Sequence, residues 1–345
     1  MNRFVLTLLA ALFAGIVFAL GAACADDETA PSPLFAPIEP YKTGHLKVSD
    51  LHEIYYECSG NPDGLPVIGL HGGPGVGCYP RMRQYFDPEK FHIVLHDQRG
   101  AARSKPWGEL RENRTPELVE DVERLRKHLK LGKVFVFGGS WGTTLALAYA
   151  QEYPDNVRAM VLRGVFTGTQ EEVEQHYMGA AWYFPEEHDA LMQLLPDPER
   201  RPLPDYVFEL VKNASDLQEK MKYLNALARL EIKMSHLHMA DEEITQMLEG
   251  YPDHAHAVLA GIDLHYVTNR YFMKEGQLLD NAHKIKHIPT TMIVGRFDMA
   301  SPPLGAYRMH KRLDKSKLII VEKAGHVESE EPITAALVKA VAEWE

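Results

Sequence analysis

Six short runs in this chain are apolar throughout or, at 291–294, after a leading Thr: 67–70, 93–95, 134–137, 160–162, 291–294 and 318–321, several of them rich in β-branched residues. A strand with one wet face alternates apolar and polar residues, so continuous runs belong to strands buried on both faces, as in a parallel sheet covered by helices. Helix patterns lie between the runs. The stretch 117–129 starts just after Pro116, whose fixed φ suits a first helical turn, and 143–151 follows the glycine of a tight turn. Alternating stretches at 45–48 and 53–58 predict an antiparallel pair at one sheet edge. The fold class is therefore α/β, a mostly parallel sheet with helices on both faces.

The alternation stops between about 167 and 284, where the sequence turns helical and rich in Met, His, Glu and Tyr. Apolar residues recur at helical spacing in 207–211, 221–230 and 244–248, with Pro204 and Pro252 as punctuation. This block is expected as an inserted helical cap, placed over the carboxyl ends of the strands where open α/β sheets hold ligands. The core is then 41–166 together with 285–345.

The first 25 residues read differently. Asn2 and Arg3 give a short basic start, residues 4–20 carry no charge, and small residues at 21–25 precede Asp26 and Asp27. That pattern predicts a cleaved export signal and a periplasmic or secreted protein; cleavage before Cys24 would instead leave a lipidated, membrane-anchored chain, and an uncleaved anchor helix is the third reading. A Pro-rich linker follows over 26–40. The mature chain is expected to carry no membrane span. Removing Cys24 leaves Cys58 and Cys78, too few for a disulfide scaffold, and two buried thiols are favoured over one bridge. A formal net charge of -11 argues against a nucleic-acid partner, which needs clustered Lys and Arg.

Gly138-Gly139-Ser140-Trp141-Gly142 stands between an apolar strand and a helix, the context that a G-x-S-x-G nucleophile elbow requires. The glycines permit a sharp turn in which the Ser140 hydroxyl is exposed. An alcohol is a poor nucleophile without a base. Asp298 and His326 follow the last two apolar runs, in the chain order Ser, Asp, His that this architecture uses. His326 would take the proton from Ser140, and Asp298 would fix its tautomer. The oxyanion hole is expected from the backbone N–H of Trp141 and of Gly73 in His71-Gly72-Gly73-Pro74-Gly75, with Gly72 as the alternative donor. The histidine pairs 236/238 and 254/256 are spaced i,i+2, which does not bring side chains together on a helix, so neither metal nor cofactor is expected.

These motifs, HGGPGVG at 71–77, DQRGAARS at 97–104, FGGSWGTTLALAYA at 137–150, LRGVF at 162–166 and KIKHIP at 284–289, resemble those of the proline iminopeptidases, serine aminopeptidases of the α/β-hydrolase fold. The resemblance runs from about Tyr41 to the C-terminus. It implies release of an N-terminal residue, preferably proline, from short peptides with a free N-terminus, and cap carboxylates that hold the free amine. Glu231 and Asp263 match those carboxylates, while Arg163, Phe166 and, more loosely, Tyr177 match residues lining the first-residue pocket. The chain has Leu227 and Leu230 where the family has tryptophans, and Asp263 where it has glutamate. Two other readings remain open: an esterase or amidase with the same triad, and a non-catalytic binding protein.

Overall fold

The structure is a computed structural model that describes residues 32–344. The leader, its cleavage sites and Cys24 lie outside the described residues. Eight strands form one sheet in the order β1-β2-β4-β3-β5-β6-β7-β8. In chain order they are β1 Lys42–Lys47, β2 Glu53–Gly60, β3 Leu65–Leu70, β4 Phe91–His96, β5 Val134–Gly139, β6 Val157–Arg163, β7 Thr290–Gly295 and β8 Ser316–Val321. β1 and β2 pair antiparallel at one edge, and β2 joins the rest antiparallel through β4; every other pairing is parallel. The apolar runs thus include β4, which is parallel to β3 but antiparallel to β2, and the edge strand β8, which has β7 alone beside it.

Successive residues of the central strands feed two cores. Ile68, Val136, Leu162 and Met292 point into one, and Val67, Phe137, Val161 and Ile293 into the other. Burial on both faces is why these strands read as unbroken apolar text. The first core is covered by α1 Thr115–His128 and α2 Trp141–Glu152. The second is covered by the short helical turn Pro80–Tyr85 and the C-terminal helix, Glu331–Ala342. Cys58 and Cys78 are separate buried thiols. The described part of the Pro-rich segment is pinned to the core: Phe35 N donates to Gln84 O at 2.9 Å, and Arg83 Nη1 donates to Ile38 O at 2.8 Å.

Between β6 and β7 the chain forms α3 Gln170–Tyr177, α4 Pro185–Leu194, α5 Leu203–Asn213, α6 Leu217–Ser235, α7 Asp241–Gly250, α8 Asp253–Thr268 and α9 Gln277–Asp280. After β7 come α10 Pro303–His310 and α11 Glu331–Ala342. Thr169 caps α3 with a reciprocal Glu172 contact, and Asp216 caps α6, so both helices start where a side chain satisfies an end amide. Among the described residues no helix is long and apolar enough to cross a membrane.

Candidate active site

Ser140 sits between β5 and α2 with φ 56° and ψ -129°, a conformation that L-residues rarely adopt. The surroundings hold it there. Ser140 N donates to Arg163 O at 2.8 Å, and Ser140 O accepts from Thr143 N and Thr143 Oγ1, both at 2.8 Å. A Cβ on Gly142 would come within 2.2 Å of the Leu70 carbonyl oxygen, so α2 packs against β3 only because that position is glycine.

The candidate base and its carboxylate partner come from loops after β7 and β8. His326 Nδ1 lies 2.8 Å from Asp298 Oδ2, and Asp298 Oδ1 accepts from Ser301 N at 2.6 Å. An ionised carboxylate can only accept, so Nδ1 carries the proton and Nε2 presents a lone pair. Gly164 makes room for the ring, because a Cβ there would lie 2.7 Å from His326 Cε1. Asp298 and His326 are 2% and 8% exposed, which keeps this pair away from bulk water.

The loop after β3 is braced by a residue whose role the sequence did not disclose. His71 Nε2 accepts from Gln98 N at 3.0 Å, which puts the ring proton on Nδ1; Nδ1 then donates to Gly72 O at 2.8 Å, the nearer of its two neighbours, the other being Gly77 N at 3.2 Å. In a trans peptide N–H and C=O point in opposite directions, so turning the Gly72 carbonyl toward His71 turns the Gly73 amide away from it. Gly73, at φ 105°, lines the same cavity as Ser140 and Trp141. This favours Gly73 over Gly72 as the oxyanion donor beside Trp141. Burial, chiefly, holds the His71 imidazole below its ordinary range and so preserves the neutral form that this brace needs. Gln98 also accepts from Trp141 Nε1 at 2.8 Å, tying the DQRG loop to the elbow.

A cavity of about 300 Å³ lies between the sheet rim and the helices α3, α6, α7 and α8. Ser140, Trp141, Gly73 and His326 line it from the core; Phe166, Tyr177, Glu231 and Asp263 line it too. The rest of the wall is largely apolar, with Leu224, Leu227 and Tyr271 among its members. Asp263 is pushed well above the usual carboxylate range, first by burial and then by the nearby Glu231. Two carboxylates in an apolar cavity form a site for a cation. His176 also reaches it, with Nε2 at 3.5 Å from Glu231 Oε1.

Arg163 stands elsewhere. Its guanidinium lies beside His326 rather than along the cavity wall, with Nη1 at 3.1 Å from Nε2 and 3.0 Å from the His326 carbonyl oxygen, and Nη2 at 3.0 Å from Glu328 Oε2. A second unforeseen contact joins α6 to the His326 loop. His326 N and Val327 N both donate to Ser235 O at the end of α6, while Glu330 accepts from Gly325 N and Leu237 N. No motif marks Glu328 or Glu330, since each acts through a partner remote in the chain. Among the described residues no group of three or more His, Cys, Asp or Glu side chains is placed to hold a metal ion.

Residues 66–331 match the family model described as alpha/beta hydrolase fold. The chain is 43% identical over 309 residues to "Proline iminopeptidase" from Arabidopsis thaliana, covering 89% of this chain and 80% of that protein. It is 41% identical over 310 residues to "Proline iminopeptidase" from Xanthomonas citri, covering 89% and 97%. Among solved structures, VinJ superposes with a TM-score of 0.64 at 16% identity over 89% of this chain and 98% of that one. An esterase from Exiguobacterium antarcticum gives 0.59 at 20% identity over 87% and 98%, a likeness of fold. The chain belongs to the α/β-hydrolase fold family and, within it, to the family of the proline iminopeptidases.

Proposed function

We propose that this protein is a serine aminopeptidase that releases an N-terminal residue, preferably proline, from short peptides through an acyl-enzyme. The observation that carries this reading is the shared cavity: Ser140 and His326 open onto the same cavity as Glu231 and Asp263. A peptide's charged amine leaves water on entering, and several kcal/mol of desolvation goes uncompensated unless opposite charge meets it. Glu231 and Asp263 supply that charge, while Phe166 and Tyr177 offer apolar surface to a pyrrolidine ring.

In this mechanism Ser140 Oγ attacks the first carbonyl carbon as its proton passes to His326 Nε2. Asp298 stabilises the imidazolium, and the Gly73 and Trp141 amides receive the oxyanion. The C–N bond then breaks, and the proton on Nε2 leaves with the new amine. Water, deprotonated by the same imidazole, hydrolyses the ester and returns Ser140. The helices over the cavity suit a chain end rather than a passing chain. The leader-like residues 1–25 add the proposal of export, which the mature N-terminus tests: Asp26, or an acylated Cys24.

The deciding assay compares proline anilide with its N-acetyl form. The free amine is expected to be cleaved on the order of 100-fold faster or more, and Glu231→Gln or Asp263→Asn to raise KM and lower kcat/KM for it alone. Equal cleavage of both anilides would move the assignment to an esterase or amidase. Folded protein whose Ser140 resists a fluorophosphonate would instead be a binding protein on a hydrolase scaffold.

A further inference from the structure

His326 Nε2 has to accept the proton of Ser140, yet its lone pair is already engaged. A guanidinium only donates, so the 3.1 Å contact from Arg163 Nη1 uses the same lone pair that Ser140 needs. Arg163 is 7% exposed and is fixed at the elbow, since its own carbonyl holds the Ser140 amide. A cation this close also opposes formation of the imidazolium. Glu328 lies on the far side of the guanidinium, 3.0 Å from Nη2, and its other oxygen accepts from the Tyr79 hydroxyl.

We infer that Arg163 is a positioning residue that keeps the unloaded base in its neutral form, and that Glu328 is the counter-charge that draws the guanidinium off Nε2 when Ser140 delivers its proton. This rests on the reading of Ser140 and His326 as nucleophile and base. Two arrangements follow. At rest, Nη1 donates to Nε2; in the working state the guanidinium keeps Glu328 and the His326 carbonyl, and Nε2 turns to Ser140. The proton count is unchanged, because Arg163 exchanges one acceptor for others and stays charged throughout.

Several charged or titratable groups face His326. Asp298 approaches from the loop after β7, Arg163 from the end of β6, Glu328 and Glu330 from its own loop, and His236 from the end of α6. His236 is held below its ordinary range, first by burial, and so stays uncharged near neutrality. Glu330 is committed to two backbone amides. Burial pushes Glu328 up, but the Arg163 charge and the Tyr79 hydroxyl outweigh it, leaving the carboxyl below its ordinary range. It is therefore an anion across the pH range in which His326 works.

The experiment measures the pH profile of kcat/KM on proline anilide, and in parallel the pH profile of Ser140 labelling by a neutral fluorophosphonate, for wild type, E328Q, E328D, R163Q and the double variant. Losing Glu328 leaves an unbalanced cation beside the imidazole. E328Q is expected to shift the acid limb of both profiles about one pH unit lower and reduce the plateau roughly tenfold. E328D should retain most of the activity. R163Q should move the limb the other way, and the double variant should return it toward wild type. A purely structural role would lower rates without moving the limb in opposite directions. If E328Q is folded, by circular dichroism, and its limb stays where wild type has it, the inference is overturned. Should R163Q fail to fold, E328Q and E328D decide alone. Wild type that is not labelled at Ser140 would remove the underlying assignment, whereas normal labelling with an unmoved limb removes only the role of Arg163 and Glu328.

Discussion

Asp263 holds a carboxyl where its charge is disfavoured. Burial first and Glu231 second push it well above the ordinary value of 3.8. A carboxyl whose folded-state value is raised contributes stability that is fully present below its unfolded value and is lost as pH rises through the folded one. At neutral pH the residue therefore works against the fold, and Asn at that position relieves the cost. Asp263→Asn is expected to raise Tm by about 1–2 °C at pH 8, the shift given by roughly 1 kcal/mol in a chain of this size, and by nothing measurable at pH 4. The same variant should lose affinity for a free amine. Binding of an ammonium favours the ionised carboxyl, so in wild type KM should rise as pH falls, and that dependence should flatten in Asp263→Asn. A Tm difference that is the same at both pH values would contradict this account. Ser140, Asp298 and His326 stood out in the sequence because each follows an apolar strand run in a fixed order. The pairing of Arg163 with Glu328 did not, because a contact across 165 residues leaves no local pattern.

Helix α6 ties the candidate amine site to the base. Glu231 lies one turn before Ser235, whose carbonyl accepts from His326 N at 2.7 Å and Val327 N at 3.2 Å. Glu330 closes the joint by accepting from Gly325 N at 2.5 Å and Leu237 N at 2.8 Å. Glu330→Ala strips the acceptor from two backbone amides; water can replace it at the exposed Leu237 N, so the loss of about 1–3 kcal/mol falls on the partly buried Gly325 N. The expected result is a kcat several-fold lower, since the His326 loop loosens, with KM little changed because Glu231 and Asp263 remain; Glu330→Gln should recover part of it. Steady-state kinetics on proline anilide, beside a thermal melt, separate this from general unfolding. The element pattern explains what sequence could foresee. Strands buried on both faces and helices with one apolar stripe, such as α1, leave a period in the text. Helix α8 leaves none: Ile262, Leu264, Tyr266 and Val267 are buried on several sides, and residues 253–268 read as mixed sequence although Asp263 lies within them.

At the scale of the molecule, a formal net charge of -11 surrounds a cavity that already holds two carboxylates. Both fields favour a cationic substrate, but they differ in range. Surface charges act through water and are screened once the Debye length shrinks to about 8–10 Å near physiological salt, whereas Glu231 and Asp263 act at contact inside a largely apolar enclosure. Salt should therefore remove the long-range share of the attraction and leave the local share. Raising ionic strength from about 10 mM to about 150 mM is expected to lower kcat/KM for proline anilide roughly two- to threefold, and to leave an uncharged fluorophosphonate's rate of reaction with Ser140 unchanged. In Glu231→Gln the salt effect should persist while the basal value drops, because the surface charge is untouched. If salt instead abolishes discrimination between free and acetylated anilides, the amine is read by the surface field, and the two cap carboxylates are not the groups that select it.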